Sequence, residues 1–290
     1  MIPTPFRPRL SSRLASHLAA PLPLPVAAAA LLAVLSPAQT FAAGEFAWKD
    51  LDPTAQISPW EEPANWGGVP APNAPGARVR IATPKISKYV QLHQPATVGG
   101  IYFSGQGALP SGILAAEGSG AVLRFDNGDA PAVLSCLRES RDTIDIPIEF
   151  ARDLVVTNGY AHRDQGSVSS VFFDANASFT PLCVDGKASL AFHVLSRISP
   201  GGRGERDILD RKMHNIVRGF IEDSLDGAPL SVTKSGRGAL AFACCDNAYS
   251  GGTTLEDGAL YGVNGDNMDA PFLPFGTGQA IAVDGGYTCV

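Results

Sequence analysis

The stretch LSVTKSGRGALAFACCDNAYSGGTTLEDGALYGVNGDNMDAPFLPFGTGQAIAVDGG, residues 230–286, decides the reading of this chain. Short runs in which apolar residues alternate with others, such as Leu240 and Phe242 or Ile281 and Val283, are cut by glycines at every few positions. Period-two alternation bounded by Gly, Asn and Asp is the pattern of short strands joined by turns, not of helices. Within it Cys244 and Cys245 stand beside Asp246 and Asn247. Such a cluster invites a metal or redox reading, and the question is whether the surrounding pattern absorbs it.

Outward from this stretch, the composition agrees. The chain has 290 residues, of which 45% are hydrophobic and only 17% charged, which excludes a disordered tail or a coiled coil. Gly (31) and Pro (23) are abundant, so turns are many and elements short. At the N-terminus Arg7, Arg9 and Arg13 precede the apolar run Val26–Leu35, which is too short to span a bilayer. Pro37 and the small residues of SPAQTFAAG follow. The pattern is that of a secretory signal peptide over residues 1–43, cut after Ala42 or Ala43, with a retained N-terminal anchor as the alternative. Cleavage removes three of the 22 basic residues and none of the 28 acids, moving the net charge from −6 to −9. A chain so acidic has no basic face for nucleic acid. No later stretch is apolar enough for a transmembrane helix. Export permits disulfides, yet the five cysteines, Cys136, Cys183, Cys244, Cys245 and Cys289, are irregularly spaced and show no zinc-type pattern.

Residues 44–110 begin with a Trp- and Pro-rich segment holding all three tryptophans, Trp48, Trp60 and Trp66. Strand patterns follow at 77–82, 89–92 and 99–105. The rhythm continues through 111–229. Strands are expected within 112–136, at 143–150 with Ile144, Ile146, Ile148 and Phe150 on one face, and at 153–159, 169–179 and 188–196. Regular turn signals are compatible with a sandwich, a barrel or a solenoid. One segment departs from this. In GERDILDRKMHNIVRGFIED, residues 204–223, Leu209, Met213, Ile216 and Phe220 fall at helical spacing, which keeps a short helix over 207–215 as an alternative.

Residues 230–286 resemble the autotransporter-associated β-strand repeat of bacterial autotransporter passengers. The resemblance rests on Thr233-Lys234-Ser235-Gly236-x-Gly238, Leu240-x-Phe242, Asn247-x-Tyr249-Ser250-Gly251-Gly252-Thr253-Thr254, Gly258-x-Leu260, Phe275-Gly276-Thr277-Gly278 and Ile281-x-Val283 in that order. Diffuse similarity extends upstream to the Trp/Pro-rich opening. The resemblance implies an all-β fold, a right-handed parallel β-helix, in which no coil buries its inner face alone and stacked coils share one core. In that fold Leu240, Phe242, Leu255, Leu260, Ile281 and Val283 point inward. Gly236, Gly238, Gly251, Gly252, Gly276 and Gly278 take turns that need a left-handed backbone or close stacking. Asn247 bonds backbone groups at a turn, and Thr253 and Thr254 enter a strand. The family's Ser-Gly before the Asn turn is replaced here by Ala243-Cys244-Cys245-Asp246. Only one good copy of the repeat is present, over 230–290, so a truncated or partial passenger is expected. The implied role is structural or adhesive, at the outer membrane, the cell surface or outside the cell. Surface glycans or other cell-surface proteins would be its partners, with no cofactor and no catalysis.

Several segments also admit chemical readings. Asp207, Asp210, Arg211, Lys212 and His214 could serve a carbohydrate-cleaving β-helix within residues 200–215, as paired carboxylates do in glycoside cleavage. A solvated charged loop explains the same residues. DNGD (126–129) and NGDNMD (264–269) carry oxygen donors but lack a calcium-loop pattern, so turn chemistry accounts for them. His193 lies in an apolar strand and reads as packed or outward-facing. Trp60/Trp66 and Phe172/Phe173 could stack on sugars, or fill a core. For Cys244-Cys245, neighbours on an extended strand face opposite sides, so one thiol inward and one outward is expected, with no metal.

Overall fold

The computed structural model describes residues 44–49, 54–82, 88–104, 111–136, 141–158, 170–182, 186, 188–195, 215–236, 238–243, 247–262, 273–275 and 280–281. Helix among these is confined to one 3-10 turn, Pro63–Trp66. Nearly everything else regular is strand, and the strands follow one another in a repeating order across three sheets.

The first coil contributes β1 (Glu45–Ala47) to sheet I and β2 (Ile57–Pro59) to sheet II. The second runs β3 (Arg78–Ala82) in sheet I, β4 (Lys88–Leu92) in sheet II and β5 (Ala96–Val98) in sheet III. The third repeats the circuit with β6 (Gly100–Ser104), β7 (Ser111–Ala115) and β8 (Leu123–Phe125), and the fourth with β9 (Ala132–Cys136), β10 (Arg141–Asp145) and β11 (Ile148–Phe150). The fifth holds β12 (Leu154–Asn158), β13 (Ser170–Phe173) and β14 (Phe179–Pro181). The sixth has β15 (Ala188–Val194) and β16 (Asn215–Val217), the seventh β17 (Leu230–Ser235) and β18 (Ala239–Phe242), the eighth β19 (Thr253–Leu255) and β20 (Ala259–Gly262). Each strand pairs in parallel with its counterpart one coil away. In the sixth and seventh coils the third face is reduced to bridges that link Phe179 to Ile221 and Glu222 to Ala248. Then the direction reverses: β21 (Leu273–Phe275) and β22 (Ala280–Ile281) pair antiparallel with β20 and β19. The architecture is a parallel β-helix, as the resemblance implied.

The register explains how an irregular sequence makes a regular core. On sheet I, Val79, Ile101, Leu134, Val156, Phe192, Lys234 and Leu255 occupy one inward column. On sheet II the column is Val90, Ile113, Ile144, Phe173, Val217 and Phe242. On sheet III it is Ala96, Leu123, Ile148, Phe179 and Ile221. All are buried. Equivalent residues lie one strand spacing apart, about 4.8 Å, so like stacks on like and each coil covers the next. Phe173, Phe179 and Phe192 come from all three sheets and meet edge to face, with centroids 4.9–6.2 Å apart.

The turn from 79 to 101 and the turn from 134 to 156 are equally short, while those from 156 to 192 and from 192 to 234 are longer by half or more. The extra length enters between a sheet I strand and the next sheet II strand: Val194 ends β15 and Asn215 opens β16. Of the helix alternative at 207–215, residues 207–214 lie outside the described residues, and Asn215 opens a strand, Asn215–Val217. A second reading needs correction. Ile144, Ile146, Ile148 and Phe150 are all fully buried, but Ile144 lies on β10, Ile148 and Phe150 on β11 of a different sheet, and Ile146 in the bend between them. The chain bends at Ile146-Pro147, and because the inside of a coil is continuous around its corners, alternation passes through the bend unbroken.

Candidate functional site

The repeat segment supplies the most developed constellation of side chains. β17 places Lys234 where the inner column elsewhere holds an aliphatic or aromatic residue, and its side chain is 0% exposed. An ammonium carries three N–H donors and must satisfy them when buried. Nζ donates to the carbonyls of Ser235 (2.9 Å), Gly236 (2.5 Å) and Asp257 (2.8 Å). The first two belong to the corner that leaves β17, the third to the equivalent corner one coil on. Burial pulls the Lys234 pKa down to about 8, against the Asp257 carboxylate, which raises it. Gly258 completes the cage. Its φ is +81°, and a Cβ there would overlap the carbonyl oxygens of Gly238 and Gly236 and stand 2.6 Å from Lys234 Nζ. Gly236 is also left-handed, at φ +74°, and packs on Val194, whose carbonyl accepts from the Gly238 N–H at 2.9 Å.

The other repeat residues bond between coils or across their own corner. Asn247 is buried, and its Oδ1 accepts from the Ile221 N–H of the preceding coil at 2.9 Å. Tyr249 is buried with its hydroxyl 2.6 Å from Thr253 Oγ1, and burial pushes its pKa up. Gly251 sits against the Leu230 carbonyl, with no room for a Cβ, and Gly252 is left-handed at φ +84°. Thr253 and Thr254 open β19, and Leu240, Phe242, Leu255 and Leu260 are buried as expected. Gly276, Gly278 and Val283, like Cys244 and Cys245, lie outside the described residues. Asp223, which no motif singled out, ties the segment together: it accepts from Leu230 N (2.8 Å), Ser250 N (2.9 Å) and Ser250 Oγ (2.7 Å).

The interior beneath the corner between sheets I and II is also polar earlier in the chain, which sequence reasoning missed. Lys88, Ser111 and Asp142 stand in register on successive sheet II strands, all but inaccessible. Ser111 Oγ donates to Asp142 Oδ1 at 2.7 Å. Asn215 continues the column, its Oδ1 3.4 Å from Val171 N. These residues lie next to the connections of variable length, where regular pairing ends and backbone groups need side-chain partners.

Outside, the register builds continuous columns. On sheet I, Arg80, Tyr102, Ser135, Thr157, His193 and Ser235 follow one another outward. His193 is half-buried and its Nδ1 lies 2.9 Å from Ser235 Oγ. On sheet III, Arg124 binds Glu149 at 2.6 Å, and Thr180 donates to Glu222 at 2.7 Å one coil farther. Near the N-terminus Glu61 accepts from the backbone of His93 (2.7 Å) and Gln94 (3.1 Å) and meets the His93 ring at 3.1 Å. Burial raises its carboxyl pKa, but those hydrogen bonds outweigh it and hold the value below the ordinary one.

Of the chemical alternatives, Asp207, Asp210, Arg211, Lys212 and His214 lie outside the described residues, as do residues 264–269. At 126–129 Asp126 Oδ1 accepts from Gly128 N at 2.9 Å within the turn, and Asn127 Nδ2 donates to Pro131 O at 3.0 Å. Among the described residues no group of three His, Cys, Asp or Glu is placed to hold a metal ion. Trp60 and Trp66 are buried and stack on each other rather than standing open, while Phe173 points inward and Phe172 is half-buried on the outer face. No described helix is long and apolar enough to cross a membrane. Comparison with protein-family models, curated proteins and solved structures returns no match.

Proposed function

We propose that this chain is an exported β-helical scaffold, displayed at the cell surface or secreted, with a structural or adhesive role. One observation carries the reading. The buried polar side chains of the repeat hold the stack together: Lys234 and Asn247, with Asp223 beside them, bond from coil to coil, and Tyr249 bonds Thr253 across a corner. What remains for a partner is the outer surface, where Arg80, Tyr102, His193 and Ser235 present donors and acceptors at strand spacing along one face. Such a face suits an extended partner with many hydroxyl or amide groups, a surface glycan or another surface protein, bound through many weak contacts. The carbohydrate-cleaving alternative rests on residues 200–215.

The test is localisation together with adhesion. Protease treatment of intact cells should remove the protein, and a deletion strain should lose attachment that the wild-type gene restores. Protection from protease in intact cells would overturn the exported reading. Release of reducing ends from a polysaccharide by the purified chain, lost on Asp207→Ala or Asp210→Ala, would overturn the scaffold reading.

A further inference from the structure

The Lys234 corner has the properties of a ligand site whose ligand is covalently attached. Three backbone carbonyls converge on one point, and each accepts an N–H from the same ammonium, at 2.9, 2.5 and 2.8 Å. Carbonyl oxygens so arranged replace the hydration shell of a monovalent cation, as they do wherever backbone lines a cation path. Two coils contribute to the cage, Ser235 and Gly236 from one corner and Asp257 from the next, so it exists only when those coils are stacked. Gly258 keeps one wall open to the backbone alone. The methylene stem of Lys234 runs through the apolar inner column, between Phe192 on one side and Leu255 on the other. Burial weakens the charged form and the Asp257 carboxylate partly offsets it, so the amine stays protonated at neutral pH while its three N–H groups are held by the carbonyls.

We infer that this corner is a primary-alkylammonium binding site, filled in the native chain by Lys234, and that a chain lacking the amine accepts a small free alkylammonium in its place. Replacing Lys234 by Ala removes three methylenes and the ammonium, which is the outline of propylammonium. The channel left behind is apolar along its length and lined by carbonyls at its end, so recognition requires both a slender chain and a primary N–H₃ head. Tetramethylammonium has the charge without donors and without the slender shape. 1-Propanol has the shape without the charge.

The experiment is a thermal melt of the full chain carrying Lys234→Ala at pH 7, where both the amine and its replacement are charged, with propylammonium chloride titrated against equal ionic strengths of tetramethylammonium chloride and sodium chloride, and against 1-propanol. The variant is expected to melt below the wild type and to recover with propylammonium in a concentration-dependent way, because a ligand that binds only the folded state raises Tm. The wild type should show no specific gain. Should the variant fold only when propylammonium is present, the site is established equally well. Equal behaviour in all four solutes, including failure to fold in all of them, overturns the inference. Combining Lys234→Ala with Gly258→Ala should abolish any recovery, and a recovery that survives would place the ligand elsewhere.

Discussion

The two ends of the described coil stack solve the same problem with different materials. At the N-terminal end Trp48, Trp60 and Trp66 gather edge to face, with centroids 5.0 Å apart for Trp48–Trp66 and 4.9 Å for Trp60–Trp66. Phe46 joins them at 6.5 Å. Two indole N–H groups reach backbone carbonyls, Trp60 to Pro72 (3.1 Å) and Trp66 to Trp60 (2.6 Å). The repeat segment has no such aromatic plug among its described residues and is joined instead by buried polar bonds: Lys234 to three carbonyls, Asn247 to Ile221, Asp223 to Ser250. The comparison shows what each material can do. Aromatic burial is non-directional and large, so it packs the first coil without matched donors and acceptors. A hydrogen bond aimed at one atom is smaller but fixes which coil sits on which, and a solenoid must prevent slippage between coils that differ in length.

The aromatic end should break most easily. Trp66→Ala removes the ring that touches all three of its neighbours and should cost about 3 to 5 kcal/mol, read as a fall in the urea midpoint. Trp48→Ala should cost less, since its indole N–H has no partner among the described residues and only its burial is lost. At the other end, Gly258→Ala places a methyl among carbonyls at a left-handed φ and should cost about 2 to 4 kcal/mol from combined strain and overpacking. Asn247→Ala leaves the buried Ile221 N–H unpaired and should cost about 1 to 3 kcal/mol, with hydrogen exchange at Ile221 accelerating more than at Val217.

Lys234 sharpens the comparison through pH. The unfolded chain holds this proton up to its ordinary value of 10.5, the folded chain only to about 8. Below pH 8 both states are protonated and the cost of burying the charge is fully present. Between 8 and 10.5 the unfolded state binds the extra proton, so stability rises with pH. The wild-type midpoint should therefore gain on Lys234→Met between pH 8 and 10, and parallel curves would show that the amine is not the titrating group. The smallest effect belongs to the outer face. Arg124→Ala breaks an exposed pair with Glu149 and should change stability by less than about 1 kcal/mol, a difference that shrinks in high salt.

Most strand positions were legible, because period two needs only neighbours along the chain. The patterns at 77–82, 89–92 and 153–159 correspond to β3, β4 and β12. The bend at Ile146-Pro147 was not, since the alternation that marks an inner face runs on around the corner. Of the repeat residues, burial of Leu240, Leu255 and Leu260 follows from their pattern. The bond from Ile221 N–H to Asn247 does not, because its two ends lie in different coils. Lys88, Ser111 and Asp142 are polar residues at strand starts, and nothing local says that they face inward and stand in one column.

The sequence by itself determined that this chain is all-β, where most of its strands run and which apolar residues they bury. Those properties depend on contacts between residues near in sequence. The tertiary structure alone decided which coil lies on which, because coils of unequal length shift the pairing by amounts no local pattern records. With that pairing came the outer columns from Arg80 to Ser235, the polar column under the corner, and the carbonyl cage of Lys234. Each is assembled from residues a full turn of the solenoid apart, and only stacking brings them within reach of one another.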